Sequence, residues 1–284
     1  GQFSGRLRYD IYKDYKSNRD KDFYNETPPS EPELLIQKER VKQYLEELFI
    51  RQFEDIVIEA DDSIAYYCSK VKEDEKVVVI TNDRDILQLL SERVGIYIIN
   101  LRKIITISNY NTYFNHHHTN LKLLKILSGD NSDNIKGIKG VSEKTILKYF
   151  PEFVTKTLTL EDIFIKIESI QKERKTRLKT LDNILNKVTV GIQGENIYEI
   201  NEKLINLKTP LLTENSKMML DQIFVTPIDP EDRTTKNVIK MLLEDGLTMA
   251  IPGGRDGYIN FLQPFLRIIK KEQSYFTKTQ NQLL

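Results

Sequence analysis

The sequence predicts a mixed α/β fold with a mostly parallel sheet, followed by a helical region. Two short runs rich in β-branched residues, VVVI at 77–80 and GIYIIN at 95–100, are typical of buried strands. A helical pattern, ILQLL at 86–90, separates them, so strand and helix alternate as in a three-layer sheet. Beyond about residue 120 the strand signals become sparse and helical patterns dominate.

The N-terminal elements begin with a basic stretch. Residues 6–21 carry six Lys/Arg against three Asp, with tyrosines between them, and the paired prolines in NETPPSEPE at 25–33 exclude a helix there. From Pro32 to Phe49 apolar residues recur at roughly helical spacing, which predicts an amphipathic helix. A short strand is predicted at 55–58, leading into a helix that begins near the first acidic cluster.

The second half of the chain is predicted to be mostly helical. The predicted helices are 120–128, 142–150, 160–187, 198–206, 214–223 and 234–246, with a glycine-containing turn at 134–141 and a loop at 251–257. We expect three regions, namely 1–125, 126–225 and 226–284.

Composition excludes a membrane-spanning protein, because no stretch of the 284 residues approaches the roughly 20 uninterrupted apolar residues that a spanning helix needs. Cys68 is the single cysteine and cannot form an internal disulfide, so a reducing cytoplasm is predicted. Lys+Arg and Asp+Glu number 42 each, and this balance argues weakly against a polyanion partner. That inference depends on where the charges lie.

Three clusters of carboxylates follow apolar runs, at the predicted edge of the sheet where ligands bind in open α/β folds. Their members are Glu59, Asp61 and Asp62, then Asp83 and Asp85, then Asp130 and Asp133. If these acids converge, their mutual repulsion needs compensation. Oxygen-only ligands select hard cations, Mg²⁺ or Mn²⁺, and two such ions about 4 Å apart form the clamp that hydrolyses phosphodiesters.

A simpler interpretation remains open for each cluster taken alone. Acids in the first turn of a helix are routinely caps or dipole partners, and Asp83 could cap the helix at 86–90. The coincidence of three clusters, each after an apolar run, favours the metal hypothesis.

Three basic segments, at 6–21, 134–148 and 166–187, are candidates for phosphate contact. GIKGVSEKT at 137–145 places two glycines before a predicted helix, where a nucleic-acid backbone can approach and helix N–H groups can hold a phosphate, although Ser142 would also be an ordinary N-cap. Residues 166–187 form a basic helix whose simpler interpretation is a solvated surface. Tyr15, between basic residues, suits base stacking, while core packing is the alternative.

Four ordered segments resemble the 5′-nuclease family, the flap endonucleases and 5′→3′ exonucleases of phages and of bacterial polymerase I. They are YKSNR at 15–19, IEADDSIAYY at 58–67, ITNDRDILQLL at 80–90 and LSGDNSDNIKGIKGVSEKT at 127–145. The likeness is greatest to phage members and becomes diffuse from about residue 150. It implies a PIN-like nuclease core with a helix-three-turn-helix for duplex binding.

The resemblance also implies roles for individual residues. Glu59, Asp61, Asp62 and Asp83 are similar to the ligands of a first metal, and Asp85, Asp130 and Asp133 to those around a second. Lys16 and Arg19 resemble the basic pair that contacts the scissile phosphate, with Tyr15 as the adjacent stacking aromatic. The implied duplex-binding residues are Lys136, Gly137, Lys139, Gly140, Ser142 and Lys144, with a monovalent cation such as K⁺ in that turn.

In the family two further Asp ligands lie in N-terminal strands, and the alignment places the second immediately before Gly1. We therefore expect both to be absent from this chain. Three explanations stay open: a partial product of an active parent, strands supplied by a separate polypeptide, or an impaired protein.

The first functional hypothesis is a structure-specific, metal-dependent 5′ nuclease that acts on branched or nicked DNA and RNA–DNA duplexes and removes RNA primers or flaps in replication and repair. It would act as a monomer, with a single-strand-binding protein or a replication clamp as protein partners. The alternative is a non-catalytic or impaired branched-DNA-binding subunit that needs a separate N-terminal part. A small-molecule α/β enzyme is a third possibility, which predicts no salt-sensitive DNA binding.

Overall fold

The structure, a computed structural model, describes residues 5–18, 31–226, 228, 233–247, 251 and 253–283. Arg19, one of the two predicted catalytic residues, lies outside the described residues. The chain divides into two compact units: unit one is Gly1–Asn25 with Asp55–Thr213, and unit two is Glu26–Glu54 with Glu214–Leu284.

The helices and strands of the described residues, in chain order, are α1 (Arg6–Ile11), α2 (Glu31–Glu47), α3 (Ala60–Ser69), β1 (Val77–Thr81), β2 (Val94–Ile98), β3 (Lys103–Ile105), α4 (Tyr110–Tyr113), α5 (Leu121–Ser128), β4 (Gly129–Asp130), β5 (Ile135–Lys136), α6 (Glu143–Tyr149), α7 (Leu160–Lys172), α8 (Lys179–Leu185), α9 (Ile197–Ile205), α10 (Glu214–Val225), α11 (Thr235–Glu244) and α12 (Gly254–Leu283). None of the described helices is both long and apolar enough to cross a bilayer.

The main sheet of unit one has the order β1-β2-β3. β1 and β2 are parallel, with Val77 opposite Val94, and β3 is antiparallel to β2. The connection between β1 and β2 contains a 3-10 helix at Asp85–Leu89 instead of the α-helix predicted at 86–90. The predicted α/β class and the parallel pair are thus confirmed.

One face of this sheet is buried and the other is open. Ile96, Ile98 and Ile105 are at most 3% exposed and pack in a core with Ala65 of α3 and Leu121 of α5. On the opposite face Val78, Ile80 and Ile104 are 50%, 69% and 47% exposed. In the described part of the chain, this open face differs from the three-layer arrangement that the sequence predicted.

The strand predicted at 55–58 is wrong, since these residues form bends rather than a strand. The Asp55 carboxylate accepts the N–H of Val57 at 2.7 Å, an Asx-type turn that takes the backbone donor a strand would need. α3 nevertheless begins directly after Glu59, so the first acidic cluster still lies at a helix start.

The helices after residue 120 form a second core in unit one. Ile146, Phe153, Ile163 and Leu181 are fully buried there, and Tyr12 from the N-terminal segment belongs to the same cluster. Because this core joins the N-terminal segment to α5–α9, residues on both sides of the predicted boundary at 125 form one unit. The helix predicted at 160–187 is two helices, α7 and α8.

Unit two is helical in its described residues. Leu48, Val238, Leu242 and Tyr258 form its buried core, while the predicted loop at 251–257 gives way to α12 from Gly254. Its surface carries an ion pair of Arg40 with Asp245, in which Arg40 Nε lies 2.8 Å from Asp245 Oδ2.

A small antiparallel hairpin, β4–β5, holds the third acidic cluster. Gly129 has φ +77° at its start, in the left-handed region that favours glycine. A Cβ built on Gly137 would lie 2.1 Å from the carbonyl carbon of Ser128, so only glycine fits this close backbone approach.

Gly137→Ala should therefore destabilise unit one, because the added methyl must push two backbone segments apart. We expect a loss of about 3 kcal/mol or more in the free energy of unfolding, measured by urea denaturation. Gly194→Ala is the matched control, since Gly194 has φ +55° but nothing within 4 Å of the added Cβ; its left-handed backbone alone costs about 1 kcal/mol. Equal losses in the two variants would contradict the close-approach argument.

Candidate active site

Five of the seven predicted acids line one cavity of unit one, of about 430 Å³. We call it the acidic pocket, and its charged residues are Lys16, Glu59, Asp61, Asp83, Arg84, Asp85, Lys125 and Asp133. Glu59 and Asp61 are at the start of α3, Asp83 and Asp85 follow β1, and Asp133 lies in the β4–β5 turn. The fold therefore brings together acids from three distant segments of the sequence.

Asp130 lies behind this pocket, on a smaller adjoining cavity that Asp85 and Asp133 also line. Its Oδ1 accepts the backbone N–H of Ser132 at 2.8 Å, and its Oδ2 lies 2.6 Å from the ammonium of Lys125. Asp130 is thus grouped with the other acids, as predicted, but its oxygens already have protein partners.

Asp62 is placed differently from the other acids. It is fully buried and lines neither cavity, and its carboxylate is held bidentately by Arg8, with Nη2 3.0 Å from Oδ1. Oδ1 also accepts the backbone N–H of Leu211 at 2.9 Å. This corrects the ligand role predicted for Asp62, because its oxygens are taken by a guanidinium and a backbone amide away from the pocket.

Lys16 enters the pocket from a strained backbone. Its φ is +56°, which is uncommon for a residue with a side chain, and its N–H donates to the carbonyl of Asp133 at 2.9 Å. The ammonium pairs with Glu59 and lies 3.8 Å from Asp133 Oδ2. The structure therefore places the predicted catalytic lysine among the acids.

Tyr15 does not have the exposure that base stacking needs, which corrects its predicted role. It is only 6% exposed, and its hydroxyl lies 2.9 Å from Glu59 Oε2 and 3.1 Å from Asp133 Oδ2. Burial and these two carboxylates raise the pKa of Tyr15, so the phenol stays protonated and can donate to one carboxylate at a time. Tyr15 therefore joins the first acidic cluster to the third.

Negative charge remains in excess on the Asp61 side of the pocket. Burial, together with the carboxylates of Asp83 and Glu59, raises the pKa of Asp61 to about 6. Asp83 is exposed, and one of its oxygens accepts the N–H of Asp85 at 2.8 Å, as expected for a residue at a turn. A cation arriving between Asp61 and Asp83 would relieve this repulsion.

Lys125 neutralises the other side of the pocket. Its ammonium contacts Asp85 as well as Asp130. Burial raises the pKa of Asp85 despite this ion pair, whereas at Asp130 burial is outweighed by Lys125 and Ser132, which lower its pKa. The two acids differ because Asp130 accepts two additional hydrogen bonds from Ser132.

The chemistry of the pocket fits a divalent cation, although the present side-chain positions do not yet form a coordination sphere. Within the described ranges, no group of three His, Cys, Asp or Glu residues is arranged to hold an ion. The donors are carboxylate oxygens, which suit Mg²⁺ or Mn²⁺, and burial together with two neighbouring carboxylates raises the pKa of Asp61. Lysines now occupy several of those oxygens.

The candidate duplex-binding residues lie on and beside the start of α6. Ser142 is the N-cap and accepts the N–H of Thr145 at 3.3 Å, and Gly140 before it has φ +78°. Lys139 and Lys144 are exposed, whereas Lys136 Nζ lies 2.6 Å from Asn134 Oδ1 and Gly137 packs against backbone. The exposed residues remain candidates for phosphate contact.

Sequence reasoning missed Arg8 and Lys125, which contact Glu59 and Asp85 of the acidic pocket. Lys125 interrupts the apolar run LKLLKIL of α5, and a charge among buried residues was a signal that it has an acidic partner. Arg8 belonged to the predicted basic stretch, but its partner Asp62 is far away in sequence, and no local pattern identified the pair.

Comparison with known proteins shows similarity to exonucleases. The sequence model of one protein family, the 5′-3′ exonuclease N-terminal resolvase-like domain, matches residues 2–119. A 5′-3′ exonuclease of Halalkalibacterium halodurans is 30% identical over 212 residues, 73% of this chain and 65% of that protein. A 5′-3′ exonuclease of Bacillus subtilis is 31% identical over 168 residues, 56% of this chain and 53% of that protein. This chain thus spans between half and two thirds of the length of these two relatives.

Solved structures share the fold. T5 5′-exonuclease aligns with a TM-score of 0.54 and 21% identity, over 83% of this chain and 79% of its own. The T5 D15 flap endonuclease aligns with a TM-score of 0.53 and 21% identity, over 82% of this chain and 79% of its own. The sequence matches support a 5′ nuclease family for this chain, and the solved structures show that it shares their fold.

Proposed function

We propose that the acidic pocket is the hydrolytic centre of a structure-specific 5′ nuclease. It would act as a 5′→3′ exonuclease or flap endonuclease on branched or nicked DNA and RNA–DNA duplexes, including RNA primers made during replication. The observation that carries this proposal is the convergence of acids from three segments with Lys16 in one open cavity. The names of the relatives support the reaction class.

Metal dependence is part of the proposal. The T5 5′-exonuclease structure contains zinc ions, and the T5 D15 flap endonuclease structure contains DNA and metal ions, which supports a divalent cation and a DNA substrate here. The carboxylates of the pocket would hold Mg²⁺, with Mn²⁺ as a substitute, and the bound ions would supply the Lewis-acid charge of two-metal phosphodiester hydrolysis.

The side chains around the acids have separate tasks. Lys16 is 24% exposed, so its ammonium can turn from Glu59 toward a phosphate oxygen and neutralise the charge that develops there. Tyr15 keeps Glu59 and Asp133 close together by donating to either carboxylate. Arg8 anchors the start of α3, because it binds Asp62 and its Nη1 lies 3.2 Å from Glu59.

Residues 134–148 are proposed to bind the duplex as a helix-three-turn-helix. The exposed Lys139 and Lys144 would neutralise phosphates, and the left-handed Gly140 leaves room for the nucleic-acid backbone. A K⁺ ion in the turn before α6, near Ser142, belongs to the same proposal.

A second function is favoured by one specific observation. In the described residues the lysines pair with the acids and no three acids are arranged to hold an ion, as a non-catalytic branched-DNA-binding subunit would allow. Cleavage of a 5′-flap substrate in Mg²⁺, but not in EDTA, would exclude this alternative. Salt-sensitive binding without cleavage would favour it.

Asp83→Asn should abolish cleavage of a 5′-flap substrate in Mg²⁺, with a fall in rate of roughly a thousandfold or more, because it removes a carboxylate of the pocket without adding bulk. Binding of the same substrate in EDTA should change less than about threefold. Asp74→Asn, an exposed aspartate outside the pocket, is the matched control and should cleave normally. Normal cleavage by Asp83→Asn would refute the site assignment.

Duplex affinity should fall steeply with salt, since the predicted contacts are to phosphates. The double variant Lys139→Ala/Lys144→Ala should lower the slope of log K against log salt by about 0.9 for each phosphate that is no longer neutralised. Fluorescence anisotropy between low and moderate salt measures this slope, and Lys72→Ala/Lys76→Ala serves as the control. A slope that the first variant leaves unchanged would remove residues 134–148 from the duplex interface.

In the metal-free protein, the raised pKa of Asp61 should make the stability depend on pH. The folded pKa is about 6 and the reference value 3.8, so the folded chain binds the proton more tightly. Ionised Asp61 therefore lowers the free energy of unfolding; this loss is complete above pH 6 and disappears as the pH falls toward 4. Asp61→Asn should therefore raise Tm by about 3 °C at pH 7.5 in EDTA, with little effect near pH 4. A rise that is equal at both pH values would contradict this explanation, and Asp74→Asn should show none.

A further inference from the structure

Lys125 occupies an unusual position for a lysine. It lies in α5 between the buried residues Leu124 and Ile126, and its side chain is 21% exposed. The ammonium contacts Asp85 and lies 2.6 Å from Asp130 Oδ2, so one cation bridges two acids from distant segments of the sequence. The same ammonium lines the acidic pocket.

This bridge makes the two sides of the pocket unequal. Asp85 and Asp130 already share a positive charge, whereas repulsion from Asp83 and Glu59 acts on Asp61. A divalent cation that binds between Asp85 and Asp130 would lie beside the ammonium and be repelled by it, and the repulsion is strong at such short distance. On the Asp61 side Lys16 pairs with Glu59, and within the described residues no ion pair engages Asp61 or Asp83 themselves.

We infer that Lys125 is a resident counter-ion of the Asp85–Asp130 pair that excludes a divalent cation from it until a substrate phosphate draws the ammonium away. This inference rests on the proposed metal-dependent function. The Asp61 side then takes the first ion in the absence of DNA, and the second ion binds together with the substrate. Lys125 is a positioning residue in this account, because it acts through the carboxylates.

The order of loading has a physical advantage. Without the ammonium, Asp85 and Asp130 would be a partly buried like-charge pair in the metal-free protein. With it, the pair is neutralised by a tethered cation that a phosphate can accept in turn. The pocket is then completed only where a phosphodiester is present.

The test is Mn²⁺ binding, followed by electron paramagnetic resonance and calorimetry, with and without a 5′-phosphorylated oligonucleotide. The wild-type chain should bind one Mn²⁺ tightly, and the oligonucleotide should raise its affinity for a second Mn²⁺. Lys125→Met should raise the affinity for the second Mn²⁺ roughly tenfold or more without DNA. It should also remove most of the effect of the oligonucleotide on that affinity. Lys125→Arg keeps the charge and should behave like wild type.

Lys122→Met is the matched control, because Lys122 is on the same helix but pairs with Glu202 outside the pocket, at 2.7 Å. If Lys125→Met fails to fold, Lys125→Gln replaces it. The inference would be overturned if the wild-type chain bound two Mn²⁺ ions with equal affinity without DNA, or if neither Lys125→Met nor Lys125→Gln raised the affinity for the second ion. The proposed nuclease would stand in either case. No Mn²⁺ binding by any variant would overturn both.

Discussion

Compensation of like charges is the constraint on which the candidate site depends. The fold gathers acids at the start of α3, after β1 and in the β4–β5 turn, and these acids cannot all be ionised without nearby cations. Arg8, Lys16 and Lys125 supply those cations from α1, the segment after it and α5. The pKa of Asp61 is raised all the same, first by burial and then by the carboxylates of Asp83 and Glu59.

The same contacts hold the architecture of unit one together. Arg8 binds Asp62 and also donates to the carbonyl of Leu204 at 2.9 Å, so α1, α3 and the end of α9 meet at one guanidinium. Removing one partner of such a buried pair leaves the other charge without compensation, which is strongly destabilising. Asp61, which lines the acidic pocket, and Asp62, which binds Arg8, are therefore adjacent in sequence but have different surroundings.

Much of this could be predicted from the sequence. The runs at 77–80 and 95–100 identified β1 and β2 because buried strands leave a compositional signal, and the acids after apolar runs identified most of the pocket. Burial was harder to predict. The pattern around Tyr15 suited exposure and core packing equally, and only the tertiary contacts show that it is buried against Glu59. The pairing of Lys125 with Asp85 depends on how α5 packs, which no local pattern encodes.

The most direct test of the central claim is anomalous diffraction from crystals of this protein soaked in Mn²⁺. The proposed function predicts an anomalous peak in the acidic pocket, within coordination distance of Asp61 and Asp83 carboxylate oxygens. Anomalous peaks found only elsewhere at saturating Mn²⁺, with the lysine ion pairs of the pocket unchanged, would contradict it.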